Sequence, residues 1–149
     1  MSLSFFHHKF QALGGGNELQ FYSEQDVGTI ICSLASTEVK RIEEKYSRFR
    51  EDSLISQINR AAGTEQQIKV DDETAALFNY VTAAYNTSSG LFDITSGVLS
   101  RLWDFRHKVI PSPEQIQQTQ RLVGWSKVEW RQPYIRLPLQ GMQIDIGGI

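Results

Sequence analysis

The sequence has few of the residues that build disulfide scaffolds, metal clusters or membrane spans. Cys32 is the single cysteine among 149 residues, which excludes an intrachain disulfide and a cysteine-rich zinc site. The longest apolar runs are only a few residues, so no transmembrane helix is predicted. Lysine and arginine total 15 against 17 acidic residues. This near-neutral balance argues against a protein that coats nucleic acid or anionic lipid.

The common catalytic motifs are also missing. The sequence has no recognisable Ser-His-Asp spacing and no phosphate loop of the Gly-Lys-Ser kind. His7 and His8 are adjacent in a predicted strand, so they face opposite ways and cannot both bind one metal ion. Cys32 lies among apolar residues of a predicted helix, which favours core packing over a nucleophilic role.

What remains is the composition of a globular domain, with 40% hydrophobic and 21% charged residues. Alternating residues predict strands over 5–13 and 18–22, joined as a hairpin through 14–17. Helical spacing and capping residues predict helices over 25–49, over 53–61, after Asp71 or Asp72, after Thr95 or Ser96, and after the capping box at 112–115. Three short strands follow at 127–131, 134–137 and 142–146. This order indicates an α+β fold with a largely antiparallel sheet and packed helices.

The periodicity also predicts which side chains face the core. In the first long helix the inward residues are Val27, Ile30, Ile31, Leu34, Ile42, Tyr46 and Phe49. In the helix after Asp71 or Asp72 they are Leu77, Tyr80, Val81, Ala84 and Tyr85. In the last strand Ile144 and Ile146 point to the core, and Asp145 faces solvent or a pocket.

One stretch combines turn-forming residues with aromatic ones, over 90–95 and again at 103–105. Aromatic rings beside exposed glycine backbone can hold a planar ligand, with backbone amides fixing its edge. On these residues alone, a tight turn packed against core aromatics is the favoured interpretation.

Several sequence blocks, taken together in their order along the chain, shift the interpretation of this stretch from a tight turn toward a ligand site. They are Phe10-Gln11-Ala12-Leu13-Gly14, residues 42–59, Gly90-Leu91-Phe92-Asp93-Ile94-Thr95 with Gly97, Leu102-Trp103-Asp104-Phe105, and the closing stretch 141–149. Together they closely resemble the ApbE family, the FAD:protein FMN transferases. The resemblance implies magnesium-dependent transfer of FMN from FAD to a threonine of an acceptor flavoprotein, with release of AMP. Some members of the family instead hydrolyse FAD to FMN and AMP.

The resemblance also implies a set of site residues. The positions that match FAD contacts are Leu13, Phe49, Gly90, Leu91, Phe92 and Asp145. Gly148 matches a residue whose carbonyl oxygen contributes to the Mg²⁺ site. Oxygen ligands suit magnesium better than histidine or cysteine would. Asp145 has a plainer alternative, as an edge-strand charge that discourages aggregation.

The resemblance covers only part of a family member. Residues 1–149 match the N-terminal part of such a domain, and the C-terminal part, with the remaining cation ligands, has no counterpart here. No catalytic set is complete, so we expect the chain alone to be inactive. A non-catalytic FAD-binding module and an FAD pyrophosphatase are the alternatives. The family implies a periplasmic lipoprotein, although neither a signal peptide nor an anchor cysteine is visible. An unpaired strand edge at 142–146 would allow a homodimer.

Overall fold

A computed structural model of the chain describes residues 2–103 and 110–147. The chain divides into two compact units, residues 1–53 and 54–149, which we call unit 1 and unit 2. Unit 1 contains one helix and unit 2 several, and both contain antiparallel strands, which confirms the α+β prediction. Within the described ranges, no helix is both long enough and apolar enough to cross a membrane.

Unit 1 is a hairpin with one long helix. Strands β1 (Ser4–Ala12) and β2 (Gly15–Ser23) pair antiparallel, and helix α1 (Gln25–Tyr46) follows. The turn comprises Leu13 and Gly14, with φ angles of 55° and 75°, and thus begins one residue before the predicted segment. Two consecutive positive φ angles are what a two-residue type I′ turn requires.

The two adjacent histidines face opposite sides of the hairpin, as predicted. The His7 Nε2 atom lies 2.8 Å from a carboxylate oxygen of Glu18 on the neighbouring strand. The His8 Nε2 atom lies 2.8 Å from the hydroxyl oxygen of Ser36 on α1. Each ring therefore has a polar partner within unit 1.

Helix α1 packs on the hairpin through a different face from the predicted one. Tyr46 is buried as predicted, and Gly28 and Cys32 are buried as well, but the predicted inward residues Val27, Ile30, Ile31 and Leu34 are exposed. A Cβ atom at Gly28 would lie 2.1 Å from the ring of Phe6, so the missing side chain allows that ring to pack against the helix. The prediction was wrong because close approach to β1 fixes the rotation of the helix, whereas apolar spacing alone does not.

Unit 2 is built from short elements around a three-stranded antiparallel sheet. Its elements are helix α2 (Leu54–Arg60), strand β3 (Ile68–Lys69), helix α3 (Asp72–Thr87), a 3₁₀ helix (Ile94–Leu102), helix α4 (Pro113–Gln120), a 3₁₀ turn (Trp125–Lys127), and strands β4 (Glu129–Arg131) and β5 (Tyr134–Arg136). Strand β5 lies between β3 and β4. Asp71 caps α3, and the capping box predicted at Ser112 is present at the start of α4.

The core of unit 2 centres on Phe78 of α3. Phe78 is fully buried, and its ring centroid lies 5.8 Å from that of Trp125 and 5.3 Å from that of Trp130. Val81 is buried as predicted, but Tyr80 is 61% exposed and that prediction was wrong. The two tryptophan rings cover the face of α3 that carries Phe78, which turns Tyr80 outward.

Residues 142–146 do not form the predicted strand. Met142 and Ile144 are buried, while Ile146 is half-buried. The Asn59 side chain accepts a hydrogen bond from the Ile144 amide at 2.8 Å and donates one to the Ile144 carbonyl at 3.0 Å. The Asn59 amide group thus supplies the pairing that a neighbouring strand would give. The edge on which the homodimer prediction rested is therefore not present as a strand.

Candidate functional site

The end of helix α3 leads directly into the segment that the sequence singles out. The Gly90 amide donates to the Tyr85 carbonyl at 2.8 Å, and the Ser89 amide donates to the Asn86 carbonyl at 3.2 Å. These two bonds form a Schellman motif, with Ser89 at φ 54° and Gly90 at φ 80°. The entry to the loop 88–92 is therefore fixed by the end of the helix, and Gly90 is required there by its positive φ angle.

The amide groups of this loop are used within the protein. Besides the Gly90 amide, the Leu91 amide donates to the Ser88 carbonyl at 3.2 Å, and the Phe92 amide donates to the Ser88 hydroxyl at 2.9 Å. These internal bonds agree with the tight turn that the residues alone favoured, and they leave the backbone amides less available to fix the edge of a planar ligand. The loop presents instead the Leu91 side chain, which is 92% exposed, and the half-buried ring of Phe92.

The exit from the loop is held by the aspartate and threonine of the same motif. Asp93 Oδ1 accepts hydrogen bonds from the Thr95 amide at 2.8 Å and the Thr95 hydroxyl at 2.6 Å. Asp93 Oδ2 accepts from the Trp125 amide at 2.9 Å, and the Thr95 hydroxyl oxygen accepts from the Gly124 amide at 2.7 Å. Asp93 is the N-cap of the 3₁₀ helix, so the predicted cap at Thr95 or Ser96 was wrong.

Asp145 lies against this same 3₁₀ helix. Its amide donates to the Ile94 carbonyl at 2.9 Å, and its Oδ1 atom accepts from the Gly147 amide at 3.0 Å. A Cβ atom at Gly97 would lie 2.5 Å from the Cβ of Asp145, so only a glycine fits beside the aspartate in this backbone arrangement. The structure thus brings Asp145 to the helix that begins directly after the loop 88–92.

Leu13 and Phe49 belong to unit 1, where both are exposed. Leu13 occupies the hairpin turn at positive φ, a conformation that is uncommon for a bulky residue. The Gly14 amide donates to Glu43 Oε1 at 3.3 Å, which places the turn beside the last turn of α1. Phe49 follows that helix in a turn rather than lying within it, is 83% exposed, and has the Arg48 guanidinium 4.7 Å from its ring centroid.

The described residues do not form a complete magnesium site. Gly148, which the resemblance assigns to the cation, lies outside the described residues, as do residues 104 and 105 of the aromatic motif. Within residues 2–103 and 110–147 there is no group of three or more His, Cys, Asp or Glu side chains that could hold a metal ion. The donor set of this part of the chain therefore does not fit a magnesium ion by itself.

Comparison with known proteins assigns the family. A model of the ApbE family matches residues 14–149, which is most of the chain. The chain belongs to the ApbE family. It is 27% identical over 94 residues to the FAD:protein FMN transferase of Haemophilus influenzae, an alignment that covers 60% of this chain and 27% of that protein.

Solved ApbE structures share the fold. The ApbE protein of Thermotoga maritima matches with a TM-score of 0.87 at 26% identity, over 98% of this chain and 48% of that one. The flavin transferase ApbE of Vibrio cholerae matches with a TM-score of 0.87 at 16% identity, over 99% of this chain and 50% of that one. The chain thus spans about half the length of these solved ApbE chains, and the antiparallel α+β architecture is that of the ApbE fold.

Sequence reasoning did not assign the structural roles of four residues that shape this region, although three of them, Asp93, Thr95 and Gly97, stand in the block that resembles the family. Asp93, Thr95 and Gly97 organise the start of the 3₁₀ helix, and Asn59 holds the backbone of Ile144. The Asp-x-Thr spacing is itself a signal, because short polar side chains two residues apart favour local capping turns. No sequence pattern links Asn59 to Ile144 across 85 positions.

Proposed function

We propose that this chain supplies the FAD-binding part of an ApbE flavin transferase, which moves FMN from FAD to a threonine of an acceptor flavoprotein. The observation that carries the proposal is the meeting of two segments at one helix. The loop 88–92 leads into the 3₁₀ helix, and Asp145 is bonded to the first residue of that helix, Ile94. By resemblance both segments match FAD contacts of the family, and the Haemophilus influenzae relative is named an FAD:protein FMN transferase.

The chemistry of the transfer sets what the site has to provide. The threonine oxygen forms a bond to the FMN phosphorus, the pyrophosphate bond to AMP breaks, and the hydroxyl proton is released. Catalysis of such a step depends mainly on holding the reacting groups in line and stabilising the negative charge. We propose that the described residues hold FAD in position, which is the first of these two requirements.

The side chains assigned to FAD suit a flat, partly apolar ligand. Leu91 and Phe49 are large, exposed apolar groups, and one face of the Phe49 ring is already covered by Arg48. Leu13 is held at positive φ, and strained residues of this kind are often found where a ligand binds. Because the amides of the loop 88–92 are used internally, we assign its contacts with FAD to the side chains of Leu91 and Phe92.

Asp145 supplies an acceptor for the polar part of FAD. Its carboxylate is half-buried and oriented by the Gly147 amide. A hydrogen bond from a ligand donor to such a carboxylate is about twice as strong as one between neutral groups. Magnesium remains part of the proposal for the complete enzyme, with the Gly148 carbonyl as one ligand. No step is assigned to the ion because the described residues do not complete its site.

The first test is FAD titration of the chain, followed by flavin fluorescence, for the original protein and for Asp145→Asn. Asparagine keeps one oxygen that can accept from Gly147, removes the charge and replaces the second acceptor oxygen by an amide group that can only donate. We expect Asp145→Asn to weaken FAD binding about tenfold, the effect of losing a hydrogen bond to a charged group. Asp72→Asn removes the same charge from the exposed first turn of α3 and should leave binding unchanged. Equal affinities for all three proteins would exclude Asp145 from the FAD site.

The reaction products distinguish a transferase from an FAD pyrophosphatase. Incubation with FAD, Mg²⁺ and a threonine-containing acceptor peptide is followed by chromatography for AMP and by mass spectrometry of the peptide. For this chain alone we expect bound FAD without AMP release. Steady AMP release with flavin on the peptide would show a complete transferase, and AMP with unattached FMN would show a pyrophosphatase.

A further inference from the structure

Four residues form a closed hydrogen-bond network directly behind the loop 88–92. We call this network the clasp, and it consists of Asp93, Thr95, Gly124 and Trp125. The Gly124 amide donates to the Thr95 hydroxyl, which itself donates to Asp93 Oδ1, and the second oxygen of Asp93 accepts from the Trp125 amide. We propose that Asp93 and Thr95 are positioning residues that hold the loop 88–92 for FAD without touching FAD, an inference that rests on the proposed function.

The carboxylate of Asp93 is occupied by the protein itself. Its two oxygens receive three donors, at 2.8, 2.6 and 2.9 Å. An ionised carboxylate has about four lone-pair positions for hydrogen bonds, so most of its capacity is used within unit 2. The aspartate of the Gly-x-Phe-Asp block is therefore suited to fixing the backbone and is poorly suited to binding a cation or moving a proton.

The clasp also connects the two ends of the loop through the body of unit 2. Besides its amide bond to Asp93, Trp125 donates from its indole Nε1 to the Thr82 hydroxyl of α3 at 3.0 Å. Its ring lies against Phe78 of the same helix. Because α3 also holds the entry to the loop, both the entry and the exit are tied to one helix.

Thr95 is the residue on which this connection depends most. It is fully buried, and its hydroxyl both donates and accepts within the clasp. Valine has nearly the same shape and can do neither, which would leave the Gly124 amide without this acceptor. Serine keeps the hydroxyl. The pair Thr95→Val and Thr95→Ser thus separates the hydrogen bonds from the packing.

Thr74 provides a matched control at the other end of α3. It is also fully buried, and its amide and hydroxyl both bond to one oxygen of a capping aspartate, Asp71, at 3.0 and 2.6 Å. Thr74→Val therefore removes a comparable hydroxyl from the same unit. A purely structural role for Thr95 would give the two valine variants the same behaviour at the loop.

The test combines hydrogen exchange with FAD titration of the full chain. For Thr95→Val we expect the Gly90 and Phe92 amides to exchange about tenfold faster relative to the core amide of Val81, as expected when one hydrogen bond to a charged group is lost. FAD affinity should fall by a similar factor. Thr95→Ser and Thr74→Val should keep both the original exchange ratio and the original affinity.

Two results would overturn the inference. One is an unchanged exchange ratio in Thr95→Val, and the other is a faster loop with unchanged FAD affinity. If Thr95→Val does not fold, Asp93→Asn takes its place with the same expectations, because its amide nitrogen cannot accept a hydrogen bond. A chain that binds no FAD at all would remove the proposed function, whereas the exchange ratio would still decide whether the clasp orders the loop.

Discussion

The two units of this chain bury their apolar side chains to very different extents. Among the residues of unit 1 that the structure describes, the buried apolar side chains are those of Ala12, Cys32 and Tyr46, whereas nine large apolar residues are exposed. In unit 2 a larger set is buried, including Ile55, Ile58, Phe78, Val81, Ile135, Leu137, Met142 and Ile144. Both units combine an antiparallel sheet with helical structure, so the difference lies in packing and not in the kind of element.

The difference shows that a sequence can form regular secondary structure without also burying most of its apolar side chains. Unit 1 forms a nine-residue hairpin ladder and a 22-residue helix, yet one apolar face of that helix, at 27, 30, 31 and 34, remains exposed. Exposed apolar area of this kind is typical of surfaces that contact other polypeptide. Unit 2 has shorter helices and strands, but many of their apolar side chains are buried.

The sharpest test of this comparison is the removal of one phenylalanine ring from each unit. Phe78→Ala should lower the free energy of unfolding by about 3–5 kcal/mol, because a fully buried ring leaves a cavity. Phe5→Ala, at a ring that is half exposed on the hairpin, should change it by about 0.5 kcal/mol or less. Urea unfolding followed by far-UV circular dichroism measures both. Similar losses for the two variants would refute the contrast between the units.

The second test concerns the close packing of Gly28 of α1 against the Phe6 ring of the hairpin in unit 1. Gly28→Ala should cost about 1–3 kcal/mol, because the added methyl group meets the Phe6 ring. In a Phe6→Ala background the same change should instead stabilise by up to about 1 kcal/mol, since alanine is the better helix former. Thermal unfolding of the four proteins measures the reversal. A stabilising Gly28→Ala in the original background would contradict the packing described here.

The smallest expected effect concerns one carboxylate in each unit. Hydrogen bonds from Arg136 lower the pKa of Glu129 in unit 2, and a hydrogen bond from His7 lowers that of Glu18 in unit 1. A lowered pKa in the folded state stabilises above the unfolded-state pKa, and this stabilisation is lost as the pH falls through the folded value. The urea midpoint should therefore decline below about pH 4.3, the ordinary pKa of glutamate.

The variants Glu129→Gln and Glu18→Gln test the assignment of that decline. Each should flatten the acid side of the midpoint curve slightly, because both groups are exposed and screened by solvent. The Glu129 variant should flatten it more, since Arg136 contacts Glu129 through two nitrogens, at 2.8 and 2.7 Å. An unchanged curve for Glu129→Gln would mean that this pair does not contribute to the pH dependence.

Much of the fold follows from local sequence signals, and the failures have a common cause. The hairpin, α3 and the capping box at Ser112 were predicted because their signals lie within a few residues of one another. Three predictions were wrong, namely the inward residues in the first half of α1, the burial of Tyr80, and the strand over 142–146. Each of these depends on a partner distant in sequence, such as Phe6, Trp125 or Asn59.

The candidate site shows the same difference between features set by local sequence signals and features set by residues distant in sequence. The residues assigned to FAD came from family resemblance, and their assignment stays a prediction. The residues that organise the loop 88–92 were visible in the sequence as the Asp-x-Thr spacing, but their bonds to Gly124 and Trp125 cross about 30 positions. Local reasoning therefore located the loop and could not describe what holds it.

The pairing of Asn59 with Ile144 has a consequence for how the chain is made. Its two hydrogen bonds join residues 85 positions apart, so this part of unit 2 cannot close until Ile144 has been synthesised. The hairpin and α1 of unit 1 need only the first 53 residues. During synthesis from the N-terminus, the unit with exposed apolar residues can thus form first, while the unit with the enclosed core waits for its last contacts.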